Sequence, residues 1–286
     1  MLAIFRAVVP PLVLIFVLST MLNLGFTQQP REILKQLRHR TFVLRMLLAN
    51  FVLAPLVMLL LLRLVPLDPA LEAALLVFSL CAGAPFLIKL TQVAEHHVAL
   101  GAAVMFLLML VTVPYLPLVL PRVLTGVSVD PWAITRSLLL QLVLPTVIGM
   151  GLARWVTGLA RAVQPWTARI SGITLYAVIA ATVIGYFPNM LDIVGTGAIL
   201  LLLVFMAAAL GAGYWAGSGQ DHYEDVGALG TAQRNTAAGL IIATQNFEDP
   251  DVLVMMTLAN TIGIVLLMFV ARRFRVDNVT HPAAIT

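Results

Sequence analysis

Gly227-Ala228-Leu229-Gly230-Thr231-Ala232-Gln233-Arg234-Asn235 interrupts an apolar run that resumes at Leu240-Ile241-Ile242. Small and polar residues, one of them an arginine, occupy the middle of a segment otherwise suited to a bilayer. An earlier segment is interrupted in the same way by Cys81-Ala82-Gly83-Ala84-Pro85-Phe86. There proline removes a backbone donor and clashes with the preceding turn, and glycine weakens the helix further. Each break leads into a short apolar half-helix, a polar turn and one more full apolar run. A single kink is readily relieved by neighbouring side chains. Two kinks at matched positions in two halves of a chain point to a binding site at a repeat interface. Unwound backbone in lipid must be satisfied by protein or by a water-filled cavity. Half-helix N-termini at such breaks present free amides and positive dipole ends, which suit anions.

The rest of the chain agrees. Of its 286 residues, 61% are hydrophobic and 10% charged, whereas a soluble domain carries roughly 25% charged residues. A spanning helix needs ~20 apolar residues, because the hydrocarbon core is ~30 Å thick and each residue rises ~1.5 Å. The apolar runs are continuous and rich in Leu, Ala and Met rather than alternating, which argues against strands. The sequence therefore predicts an all-α polytopic membrane protein with about nine transmembrane helices. They fall near 7–26, 42–64, 70–94, 98–120, 134–155, 170–187, 193–216, 226–244 and 252–271. The first has no small-residue cleavage site at its end and reads as a retained span rather than a signal peptide. Connections are short, so 1–286 reads as a single integral membrane domain. The net charge of +4 is no sign of nucleic acid, since the basic residues cluster at the ends of apolar runs. The lone Cys81 excludes an intrachain disulfide.

Loop charges set the expected orientation. One side receives Arg31, Lys35, Arg38 and Arg40, then Arg154, Arg161 and Arg169, then Arg272, Arg273 and Arg275. The other receives Arg6, Arg63, Arg122 and Arg136 with Asp68, Asp130, Asp192, Glu248, Asp249 and Asp251. The first side is expected to be cytoplasmic, with the N-terminus outside, the C-terminus inside and the bacterial inner membrane as the location. The acidic loop Asp221-His222-Tyr223-Glu224-Asp225 runs against this pattern, but acidic residues weigh little in the rule.

Lys89 and Arg234 are the basic residues away from span ends. A centred charge costs ~2.5–3.5 kcal/mol on insertion scales, so such residues normally face a cavity and have a partner. Gln233 and Asn235 flank Arg234. Lys89 lies nearer the basic end and either snorkels or pairs with Glu95. No acid lies deep in these spans, and an incoming anion would neutralise both. Asn50, Asn260 and Thr261 are mid-span polar residues of the kind that usually join helices. Ala207, Gly211, Gly213 and Gly217 read as close-packing positions. The pair His96-His97 sits at a turn. No HExxH, no GxSxG and no pair of buried acids is present, so the chain does not read as an enzyme.

These stretches resemble the bile acid:sodium symporter family. The region from Cys81-Ala82-Gly83 through Glu95-His96-His97-Val98-Ala99-Leu100 is similar to the family's first crossover, Cys-Pro-Gly-Gly, two residues, Ser-Asn, and a later Val-Ala-Leu. Gly230 to Ala243 resembles the second crossover, with its Glu-x-Gly-x-Gln-Asn. Asn50-Phe51 followed by Pro55 resembles an earlier Gln-Phe-x-x-x-Pro. The resemblance implies panel and core domains built from inverted repeats, with two broken helices that cross. The first repeat covers about 1–120, lacking its first helix, and the second about 134–273.

Departures from the pattern are as informative. The Ser-Asn pair falls on Leu87 and Ile88, and the next helix's hydroxyl positions fall on Gly101 and Met105. The acidic sodium ligand falls on Gly230 or Thr231, and its Gln on Gln233 or Arg234. Only Asn50 and Asn235 keep polar counterparts, and sodium needs several hard oxygens. The expectation is a secondary transporter that moves a small organic anion by alternating access without the family's sodium coupling. It has no cofactor, and Lys89 and Arg234 stand where relatives hold sodium. Site candidates are Lys89, Arg234, Asn235, Gln233, Asn50, Pro85 and Thr231. Two other readings stay open: a sodium-coupled anion symporter using backbone carbonyls with Asn50, Gln233 and Asn235, and a membrane ligand sensor without transport.

Overall fold

The computed structural model describes residues 2–95, 97–124, 130–219 and 223–280. His96, Asp221 and His222, singled out above, lie outside the described residues. Thirteen helices follow in order: α1 (Leu2–Thr27), α2 (Pro30–Gln36), α3 (Arg40–Leu64), α4 (Pro69–Leu80), α5 (Phe86–Ala94), α6 (Val98–Val123) and α7 (Pro131–Trp155). Then come α8 (Thr157–Gly185), α9 (Phe187–Ile193), α10 (Ala198–Gly217), α11 (Glu224–Ala232), α12 (Thr236–Asn246) and α13 (Pro250–Thr280). No strand occurs among the described residues. Among the described residues, seven helices are long and apolar enough to cross a membrane: α1, α3, α6, α7, α8, α10 and α13. The runs expected at 70–94 and 226–244 fold instead as the pairs α4–α5 and α11–α12. Each half is too short to span alone.

Three helix starts share one device, an Asp-Pro step. Asp68, Asp130 and Asp249 each accept the N–H two residues on, at 2.9, 2.8 and 2.9 Å, ahead of α4, α7 and α13. The carboxylate meets an orphan amide, while the proline occupies the first helical position, where no donor is needed. The loop expected before residue 170 is helical instead. Only Val156 separates α7 from α8, and Arg161, Trp166 and Arg169 stand exposed on the extended first turns of α8. A polar helix end persists there because its outward side chains need no apolar surroundings.

Packing divides the helices into two groups. In one, α1 lies along both α7 and α8; in the other, α13 packs against α4, α5 and α12, and α11 lies along α10. α12 touches α1 and α7, so the second broken segment borders the first group. The α10–α11 contact is close because it lacks side chains. A Cβ on Gly213 would collide with the Gly227 backbone, and one on Gly217 with that of Tyr223. Small residues drive such approach in lipid, where dispersion rather than water exclusion holds helices together. Of the four small residues expected to pack, Gly213 and Gly217 are buried and Ala207 and Gly211 are exposed. The buried stripe runs through Ala209, Gly213 and Gly217, four residues apart.

Candidate functional site

The two breaks meet. At the first, the helix stops at Leu80 and the backbone turns through Gly83, whose φ of +79° favours glycine. A Cβ on Gly83 would also strike the Met109 backbone in α6. Pro85 then caps α5. At the second, Gln233 leaves α11 in an extended conformation and Asn235 opens α12, its Oδ1 accepting the Ala238 N–H at 3.1 Å. The Asn235 backbone N–H donates to the Cys81 carbonyl at 2.9 Å. Its Nδ2 donates to the Gly83 carbonyl at 3.0 Å. One asparagine thus caps its own half-helix and satisfies two carbonyls freed by the other break. Thr112 of α6 completes the set, donating to the Ala82 carbonyl at 3.0 Å and accepting the Ala82 N–H at 3.2 Å. Sequence reasoning missed Thr112; its signal was a hydroxyl in the apolar run 98–120, which carries one other, on Tyr115.

Arg234 sits beside this crossing and is 1% exposed. Its Nη1 donates to Asn50 Oδ1 at 3.4 Å, and its guanidinium carbon lies 5.4 Å from the centre of the Phe205 ring. Asn50 is oriented by two further bonds, from Nδ2 to the Met46 carbonyl at 3.0 Å and to Thr231 Oγ1 at 3.1 Å. Arg234 Nε and Nη2 have no partner, nor does Gln233 Oε1, while Gln233 Nε2 reaches the Arg234 carbonyl at 3.3 Å. The buried polar side chains among the described residues include no Asp or Glu. A buried cation left this way costs several kcal/mol, and an amide plus a ring face offset only part of it.

Asn50 is held in place by a defect in α3. Residues Ala49–Leu53 form a π-helical turn, closed by the Ala54 N–H on the Ala49 carbonyl. Pro55 brings no N–H, so the Phe51 carbonyl loses its helical donor. The Tyr115 hydroxyl of α6 donates to it instead, at 2.8 Å.

Lys89 does not join Arg234. The face of α5 carrying Leu87, Leu90, Thr91 and Ala94 is buried, which turns Lys89 outward, where it is exposed. Glu95 is ion-paired with Arg275 at 2.8 Å rather than with Lys89. Of the two readings of Lys89, the exposed side chain fits snorkelling. Asn260 does join helices, accepting from the Thr236 hydroxyl at 2.7 Å, whereas Thr261 bonds back within α13.

The profile of the Sodium Bile acid symporter family matches residues 11–193. The chain belongs to that family. No curated protein sequence matches it. Membership in the sodium bile acid symporter family makes the chain an integral membrane transporter. The matched stretch holds Asn50 and the first break; Arg234 lies beyond it. The resemblance places sodium-coordinating side chains at Leu87 and at Gly230 or Thr231; of these, Leu87 and Gly230 lie against each other. Leu87, Met46 and Val104 approach to 3.2, 3.4 and 3.4 Å of where a Gly230 Cβ would stand. The space there is filled with hydrocarbon.

Proposed function

We propose that this chain is a secondary transporter that moves a small organic anion by alternating access without sodium coupling. The observation that carries the reading is Arg234, a fully buried guanidinium beside crossed half-helices, with Nε and Nη2 unpartnered and no buried acid among the described residues to answer its charge. A carboxylate or sulfonate would accept two parallel N–H bonds from that fork. Its apolar body would meet the surrounding Phe, Leu and Met side chains. In this reading the cation is built in. Arg234 supplies at the crossing the positive charge that a bound sodium ion would otherwise supply. The remaining site residues serve it: Asn50 and Thr231 hold one side, Gln233 and Asn235 fix the backbone, and Pro85 ends the opposing break.

Sodium coupling is the second reading. Gln233 Oε1 is an unengaged oxygen, but the Cys81 and Gly83 carbonyls and Asn50 Oδ1 already accept hydrogen bonds. One free oxygen falls short of a sodium shell.

A panel of aliphatic and aromatic carboxylates and sulfonates, tested for thermal stabilisation and then for uptake into proteoliposomes, separates the two. We expect hits to act equally in sodium and potassium buffers. Arg234→Ala should insert and purify normally yet lose both the anion-dependent shift and uptake. A strict sodium requirement overturns the uncoupled reading. Full uptake by Arg234→Ala makes Arg234 structural.

A further inference from the structure

A cavity of about 850 Å3 opens at one end of the first helix group, remote in the chain from the crossing. Its walls are the end of α1 with the turn into α2, the last turns of α7 and the first turns of α8. Its shape follows from two glycines. A Cβ on Gly25 would come within 2.9 Å of the Gly149 Cα, and one on Gly149 within 2.5 Å of the Leu22 carbonyl. α1 and α7 therefore touch backbone to backbone at this level, and the cavity lies beyond the contact. Gln164 Nε2 donates to Asn23 Oδ1 at 3.0 Å and ties α8 to α1 at the cavity wall. Gly151 leaves room for the Trp155 ring, which passes 3.1 Å from where its Cβ would be.

The lining is amphiphilic. Arg31, Arg154 and Arg161 line it, and none of the described lining residues is acidic. Phe26, Val147 and Met150 supply the apolar side. Trp155, 79% exposed at the end of α7, marks the depth, since indole rings settle at the headgroup level of a bilayer. Three cations gathered at that depth around an apolar floor match one ligand chemistry, a phosphate anion attached to a hydrocarbon chain. Basic pockets between transmembrane helices are suited to anionic headgroups, and each arginine near the surface adds roughly a fivefold gain.

We propose that this cavity binds the headgroup of an anionic phospholipid, with the phosphate on Arg31, Arg154 and Arg161 and the first acyl carbons over Phe26 and Met150. The bound lipid bridges α1, α7 and α8 and braces this helix group. The site is independent of Arg234, so transport and lipid retention can fail separately.

Native mass spectrometry and thermal unfolding of the purified full chain test it, with phosphatidylglycerol, phosphatidylcholine or inorganic phosphate added at matched concentration. The wild type should retain phosphatidylglycerol and be stabilised by it, more than by the zwitterionic lipid or by phosphate. The triple variant R31Q/R154Q/R161Q should bind it on the order of a hundredfold more weakly. R63Q/R122Q/R136Q, with the same loss of charge at the other end, should bind it as the wild type does. If the triple variant does not purify, each single Arg→Gln change should weaken binding about fivefold. Equal retention of the two lipids, unchanged binding in the arginine variants, or an equal effect of inorganic phosphate overturns the proposal.

Discussion

Arg234 is costly where it stands, and the cost is visible atom by atom. A guanidinium offers five N–H donors, and here Nη1 alone finds an oxygen, at a long 3.4 Å. Asn50→Asp tests the consequence. The new carboxylate would pair with Arg234 in place, converting a neutral contact into a charge-assisted one worth about 1.5–3 kcal/mol. We expect the melting temperature to rise by several degrees in a thermal unfolding assay while anion uptake falls, because the guanidinium is already neutralised. A lower melting temperature would show that Asn50 matters for its two amide bonds more than for its acceptor. At this scale the charged residues were legible in the sequence, since an arginine inside an apolar run is conspicuous. That Lys89 differs from Arg234 was half legible. The buried face at 87, 90, 91 and 94 has helical spacing, and Lys89 falls off it.

Helices here are shaped by what proline withholds. Pro55 leaves the Phe51 carbonyl without its helical donor, α3 loosens into a π turn, and Tyr115 answers from α6. The two effects should be coupled. Tyr115→Phe is expected to cost about 1 kcal/mol in the wild type. In a Pro55→Ala background, where an amide can return to Phe51, it should cost much less. A double-mutant cycle in chemical or thermal unfolding measures the difference. Equal costs in both backgrounds would separate the tyrosine from the helix defect. The breaks were readable from Pro85, Gly83 and the polar run 231–235. The hydroxyl of Thr112, which satisfies both polar groups of Ala82, was not. A threonine in a spanning helix usually bonds back to its own turn, as Thr257 does. Only the neighbouring backbone reveals another role.

For the whole molecule, the two helix groups and the bias of basic residues set the frame. Arg38 and Asp249 mark opposite ends in the orientation proposed from that bias. In a Cys81→Ala background, Arg38→Cys should be protected from an impermeant maleimide added to intact cells, and Asp249→Cys should be labelled. The reverse pattern would invert the molecule and put the Arg31–Arg154–Arg161 cavity in the outer leaflet. The family match over residues 11–193 bears on this scale as well. It takes in the first break and Asn50, while the second break and Arg234 lie beyond it.

The amino-acid sequence by itself determined that this chain is helical, spans a membrane and is interrupted twice. Those properties depend on local chemistry: hydrocarbon length, missing amide donors and helix-breaking residues. Tertiary structure alone decided that Asn235 closes the first break through Cys81 and Gly83, that Arg234 is enclosed with Asn50 while Lys89 faces outward, and that hydrocarbon fills the space beside Gly230. Each is a contact between residues far apart in the chain. Burial, and the partner a buried donor finds, are set by whichever helix packs alongside.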